Sequence, residues 1–276
     1  MKLLKCLDDR CFLGYDLWEF SAKSLLHRYG WVFLFRIACG HPVRTWRGLS
    51  GYRRWRKDYR EGTGVILFGV GEIPPKIDGR WLVALGFCLK PVGRCPSRRF
   101  NHDCGFLKLT EASMQRTGGD KIPGLQAWTA EMSQEGGVSE GTFLHHGFLR
   151  RGFGPSLTRK KMEVCRDCQI ALIGQKALVA RAALYIMTSA EDVVYDLFIP
   201  RLKGEGYQWV MFFLCPYTAK VMVLSALICG MKGLIVTYSS GDCKDYEDFS
   251  KADRGAKEEQ TAVSTATLER ILRLFP

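Results

Sequence analysis

Between Gln169 and Tyr238 short, unbroken apolar runs alternate with segments of helical character, and this alternation leaves few folds open. The runs 183–188, 209–215 and 233–238 read as strands, with 169–181, 191–202 and 216–229 as helices before and between them. Strands apolar on both sides must be covered on both sides, and strand–helix–strand units lay their strands parallel. The expected fold is therefore α/β, a parallel sheet with helices on both faces. Upstream, Val65–Val70 and Trp81–Phe87 are apolar runs separated by Pro74-Pro75 and Asp78-Gly79, which reads as two further strands and a turn. The segments 90–104 and 118–137 carry the Pro and Gly of loops. Residues 1–62 have no core pattern of their own and read as a basic, mainly helical N-terminal extension to a cysteine-rich α/β domain spanning 63–276.

In open parallel sheets the carboxyl ends of the strands gather on one edge, and ligands bind there. Those ends carry Thr188-Ser189, Cys215-Pro216 and the 239–243 loop, so Cys215 and Cys243, far apart in sequence, are expected to meet.

The chain has 11 cysteines in 276 residues. Its first residues, Met1-Lys-Leu-Leu-Lys-Cys-Leu-Asp-Asp, run into acids instead of the apolar stretch of a secretory signal, so a cytoplasmic setting with reduced thiols is expected. Cys88, Cys95 and Cys104 fall around one loop, and Cys165-Arg-Asp-Cys168 sits at a helix start. A Cys-x-x-Cys pair supplies two soft ligands from one turn, and a zinc ion or an iron–sulfur cluster takes about four. Cys229, among Leu, Ala and Ile, reads as core, while Cys6, Cys11 and Cys39 have no partner at metal spacing. His145-His146 beside Arg150-Arg151 reads as a solvated face. Neither a dinucleotide fingerprint, nor a phosphate-binding Gly-x-x-x-x-Gly-Lys loop, nor a serine nucleophile elbow occurs.

The net charge is +12, much of it local. Arg44, Arg47, Arg53, Arg54, Arg56, Lys57 and Arg60 interleave with Trp46, Tyr52, Trp55 and Tyr59. Such a mixture suits phosphate contacts with base stacking, hence nucleic acid, or a basic helix whose aromatics pack inward. The apolar run Val221–Tyr238 has nearly the length of a membrane span but holds Gly230, Lys232 and Gly233, and Trp31–Ala38 is short and broken by Arg36. Peripheral membrane contact is compatible with this pattern and a transmembrane span is not expected.

Phe87-Cys88-Leu89 with Cys95-Pro96, then the Cys-x-x-Cys of Cys165 and Cys168, then three βα units ending in Gly241-Asp242-Cys243, resemble the cysteine-rich domain-of-unknown-function 116 family over roughly residues 82–245. The resemblance implies that these cysteines ligate an iron–sulfur cluster.

The sequence thus predicts an iron–sulfur protein, with a [4Fe-4S] cluster held by Cys95, Cys104, Cys165 and Cys168 and with Cys88 in reserve. Cys215 and Cys243 are expected either to bind a second cluster or to form a redox-active pair. The work expected is electron transfer, or reductive support of a redox partner protein docking on the basic N-terminal region. The alternative is a zinc-stabilised nucleic-acid-binding module that uses residues 44–60. A thiol enzyme acting through Cys215 or Cys243 is the third reading.

Overall fold

The fold is described over residues 17–59, 64–72, 76–108 and 159–276 of a computed structural model. The loop 118–137, His145-His146, Arg60, Cys6 and Cys11 lie outside these residues.

Helices α1 (Leu17–Ser24), α2 (Arg28–Val32, continued by a π-helical stretch Phe33–Cys39) and α3 (Pro42–Asp58) precede strands β1 (Val65–Phe68) and β2 (Trp81–Gly86). After the cysteine loop come α4 (Arg159–Arg166), α5 (Gln169–Val179), β3 (Ala183–Met187) and α6 (Ala190–Val193), whose line continues through π-helical Val194–Phe198 to Ile199–Leu202. Strand β4 (Trp209–Leu214), α7 (Pro216–Ile228), β5 (Lys232–Thr237), α8 (Tyr246–Asp253) and α9 (Thr265–Leu272) complete the described order. Local chemistry sets several of these boundaries. Ser189 and Asp192 form a reciprocal capping box at the start of α6, Pro216 occupies the first turn of α7, and Asp245 and Ser264 accept backbone N–H groups at the starts of α8 and α9.

The five strands form one sheet in the order β1-β5-β4-β2-β3. Strands β2 to β5 are parallel, but β1 pairs antiparallel with β5, Val65 opposite Val236 and Phe68 opposite Gly233. The sheet is therefore mixed, and the expectation of a purely parallel sheet is corrected at this edge. A parallel return needs a crossover, usually helical. Between Phe68 and Trp81 the described chain only bends and turns, so β1 ends on the edge where β2 begins and the direction reverses.

Alternation along the strands divides the interior into two layers. Val83, Leu85, Met211, Phe213, Leu234 and Val236 pack with Ile170, Ile173 and Ala177 of α5 and Ile271 of α9. Their neighbours Leu82, Ala84, Val210, Phe212 and Ile235 pack on the other face with α6, α7 and the N-terminal helices. The segment 17–59 is part of that second layer. Ile37 and Tyr52 are buried in it, Trp55 Nε1 donates to the Leu67 carbonyl at 2.7 Å, and α3 lies along α7. Gly48 permits that approach, since a Cβ there would stand 2.7 Å from the Ile228 backbone.

Candidate functional site

Beyond β2 the chain makes a 3₁₀ turn, Phe87–Leu89, and enters the loop that carries Cys95 and Cys104. Lys90 organises this loop from inside. Its side chain is 1% exposed, and its ammonium donates to the carbonyls of Asn101 (2.5 Å), Asp103 (2.7 Å) and Arg98 (3.3 Å). Three backbone acceptors thus satisfy its three protons and leave the charge itself without a carboxylate partner in contact. Around this core, Ser97 Oγ accepts the Gly105 N–H at 2.7 Å, and His102 Nδ1 binds the Ile186 carbonyl at 2.8 Å, fastening the loop to the end of β3. Gly174 of α5 makes room for Leu107, beside the turn that starts after Cys104.

Three cysteines stand around Lys90, and a fourth stands near those three. Cys95, Cys104 and Cys168 all lie within electrostatic range of its ammonium, and Cys165 interacts with Cys104, Cys168 and Cys95. Cys165 lies near the end of α4, and Cys168 is the N-cap of α5, so the Cys-x-x-Cys pair spans the junction of two helices. The Cys168 sulfur accepts the N–H groups of Ile170 and Ala171, and the Cys104 sulfur that of Leu107. Burial, reinforced by neighbouring thiols, pushes Cys104 up to about 11 and Cys165 up to about 12, and burial also raises Cys168. Four buried thiolates cannot share this volume unless positive charge enters with them. Among the described residues, no three His, Cys, Asp or Glu side chains converge closely enough to hold a single metal ion.

Cys88 does not join this group. It stands at the carboxyl edge with Cys215 and Cys243, where Lys257 and Arg99 face it. The Cys243 N–H donates to the Cys215 sulfur at 3.2 Å, the two thiols hydrogen-bond each other, and Lys257 Nζ lies 3.3 Å from the Cys243 sulfur. The hydrogen bond from Cys215, assisted by Lys257, lowers Cys243 to about 7, while donating that proton raises Cys215. Burial alone would have the opposite effect on Cys243, as it does on Cys88, which is pushed up to about 11. The two sites are physically linked: the Arg99 guanidinium, from the cysteine loop, donates to the carbonyls of Lys257 and Glu259, and the Gln260 amide donates to the Leu89 carbonyl at 3.2 Å. Below them, the Tyr238 hydroxyl donates to the Phe213 carbonyl at 2.6 Å in the space left by Gly86, where a Cβ would collide with the Tyr238 hydroxyl oxygen.

The basic aromatic segment is placed differently. Tyr52 is buried and Trp55 packs between it and Tyr59, whereas Trp46 is exposed with Arg44, Arg47, Arg53, Arg54 and Lys57. Most of its aromatics therefore complete the core, and its cations are solvated. Cys229 is fully buried and Cys39 is exposed away from both thiol groups. Sequence reasoning did not find Lys90, Lys257, Arg99 or His102. Lys257 stands in the run Lys257-Glu258-Glu259, which reads as solvated, and nothing local marks Lys90 as a side chain that folds inward.

No family model matches the chain, and no curated protein or solved structure matches it either. Among the described residues no helix is long and apolar enough to cross a membrane.

Proposed function

We propose that Cys95, Cys104, Cys165 and Cys168 ligate an iron–sulfur cluster of the [4Fe-4S] type and that the protein transfers electrons to or from a partner protein in a reducing, cytoplasmic compartment. The observation that carries this reading is the placement of Cys95, Cys104 and Cys168 around the buried ammonium of Lys90, with Cys165 interacting with all three. The donor set fits the group. Four thiolates bring four negative charges into a buried site, iron offsets most of them, and Lys90 offsets part of the remainder. The N–H groups of Ile170, Ala171 and Leu107 already point at two of the sulfurs, the kind of hydrogen bond that tunes a cluster's potential. When bound, the cluster would supply one-electron chemistry. The protein's part would be to hold the four ligands, exclude water with Phe106, Leu107 and Ile170, and fix the local charge with Lys90.

A cluster is favoured over a lone zinc because the thiols exceed four and no paired His completes a Cys-His zinc site. The docking face also shifts. Residues 17–59 pack on the opposite face of the sheet from Cys165 and Cys168, so the nearest cations for an acidic redox partner are the exposed Arg94, Arg98 and Arg166 beside the four thiols.

Anaerobic purification with assay of iron, acid-labile sulfide and zinc tests the reading. Iron and sulfide in near-equal amounts, with visible absorption lost in the Cys165→Ala/Cys168→Ala variant, are expected. Zinc alone, or iron that survives that double substitution, would overturn it.

A further inference from the structure

The Cys215–Cys243 pair belongs to neither the four-thiol group nor the ordinary core. The Cys243 N–H donates to the Cys215 sulfur at 3.2 Å, and Lys257, 8% exposed, places its ammonium 3.3 Å from the Cys243 sulfur. Both cysteines line a cavity of about 540 Å³ at the carboxyl edge of the parallel strands, together with Cys88. Its walls are largely apolar, with Phe20, Tyr29, Phe33, Phe198 and Phe249 among them. This is the position at which open α/β sheets bind ligands.

We propose that Cys215 and Cys243 form a redox-active dithiol that reduces the disulfide of an apolar-bodied substrate entering this cavity. Cys243 is the attacking thiolate and Cys215 the resolving thiol. In the first step the Cys243 sulfur bonds to one substrate sulfur and expels the other as a thiolate, which takes up a proton. In the second, Cys215 gives up its proton, bonds to the Cys243 sulfur and expels the second substrate thiolate, which is protonated in turn. The protein dithiol loses two electrons and becomes a disulfide, and the substrate disulfide gains them and becomes two thiols.

The roles follow from placement. Lys257 and the Cys215 proton both face Cys243, so negative charge collects on that sulfur. The other charged or titratable groups around it are Cys88, Asp248, Tyr217, Tyr238 and the Asp242–Lys244 pair, of which Asp248 opposes ionisation. An attacking thiol whose acidity is near ambient pH combines thiolate population with nucleophilicity, and Cys243 meets that condition. Of the two roles expected for this pair, a second cluster or a redox couple, the direct bond from the Cys243 N–H to the Cys215 sulfur and the lysine beside Cys243 favour the couple. The proposal does not depend on a cluster at the four-thiol site.

The test treats the full chain, purified without oxygen, with the small aromatic disulfide 4,4′-dithiodipyridine at pH 7 and maps cysteines by mass spectrometry without reduction. The expected result is a Cys215–Cys243 cross-linked peptide with no pyridyl adduct retained on either residue. Cys215→Ser is expected to trap one stable adduct on Cys243, and Lys257→Gln to slow the first step about fivefold, the fall in thiolate population at pH 7 when a thiol near 7 moves up by one unit. The same cross-link in the Cys165→Ala/Cys168→Ala variant would show its independence from cluster binding. A wild-type protein in which Cys243 keeps its adduct, or reacts no faster than buried Cys229, would overturn the proposal.

Discussion

Replacing Lys90 by methionine separates a structural ammonium from an accidental one. Methionine keeps the length and apolar stem of the side chain and removes only the charge and its donors. In the folded protein three carbonyls, of Arg98, Asn101 and Asp103, then lose their donor inside a buried loop. Hydrogen bonds to a charged group contribute roughly 1.5–3 kcal/mol each, so three of them outweigh the several kcal/mol that desolvating one ammonium costs. The net loss comes to about 3 kcal/mol, a fall in Tm of roughly 6–12 °C at about 2–4 °C per kcal/mol. The assay is thermal unfolding of metal-free, fully reduced protein, with hydrogen exchange of peptides covering residues 90–108 to show that the opening is local to the loop. Lys176→Met, on the exposed side of α5, serves as the control. An unchanged or raised Tm for Lys90→Met would mean that desolvation dominates, as it does when buried ions are replaced by well-packed apolar groups. The argument that this loop is built around a cation would then fail.

Other expectations rest on close approaches and on charge. Gly48→Ala should force α3 away from α7, because the new Cβ meets the Ile228 backbone at 2.7 Å. Overpacking of this kind costs about 1–3 kcal/mol, readable as a lower urea midpoint with the slope unchanged. Gly86→Ala should displace the Tyr238 hydroxyl from the Phe213 carbonyl. Its cost should shrink when Tyr238→Phe is already present, a coupling that a double-mutant cycle measures. Alkylation of Cys243 by iodoacetamide should rise with pH and reach half its maximum near pH 7, because the thiolate is the reactive form and Cys243 is lowered to about 7. Lys257→Gln should move that midpoint upward and Asp248→Asn downward, since the first group favours the thiolate and the second opposes it.

Much of the sheet was legible because its strands are apolar on both sides and separated by segments of helical length. The runs ending at Thr188, Cys215 and Tyr238 are β3, β4 and β5 to within a residue or two. The direction of β1 was not legible, since Val65–Phe68 pairs equally well either way and only the helix-free connection to β2 fixes it. The helical character of the N-terminal segment was legible, but its packing on the sheet was not, for a related reason. Leu17, Ile37 and Tyr52 are too sparse to suggest a core of their own, and they are buried only because the second face of the sheet needs covering. Loop punctuation and a Cys-x-x-Cys spacing singled out Cys95, Cys104, Cys165 and Cys168 as candidates, and the fold brings them within electrostatic range of one another. The meeting of Cys215 with Cys243 was legible from parallel topology alone, whereas the position of Cys88 depends on a three-residue turn after β2 that no pattern announces.

The two thiol groups differ in their ratio of sulfur to positive charge, and that ratio decides what each can do. Around Lys90, three cysteines share a single ammonium whose protons are already taken by carbonyls, and Cys165 stands beside them. Each thiolate formed there would raise the cost of the next. At the sheet edge, Lys257 has a sulfur within reach, and Cys215 lends its own proton to the same atom. One thiolate is fully supported and a second is not needed. Burial varies within the first group, where Cys165 and Cys168 are covered like Cys215 but Cys95 and Cys104 only in part, so it does not by itself separate the sites. The count of charges does: the proposed cluster would bring the first group the positive charge that Lys90 alone does not supply, whereas at the second Lys257 already stands beside the one sulfur proposed to attack.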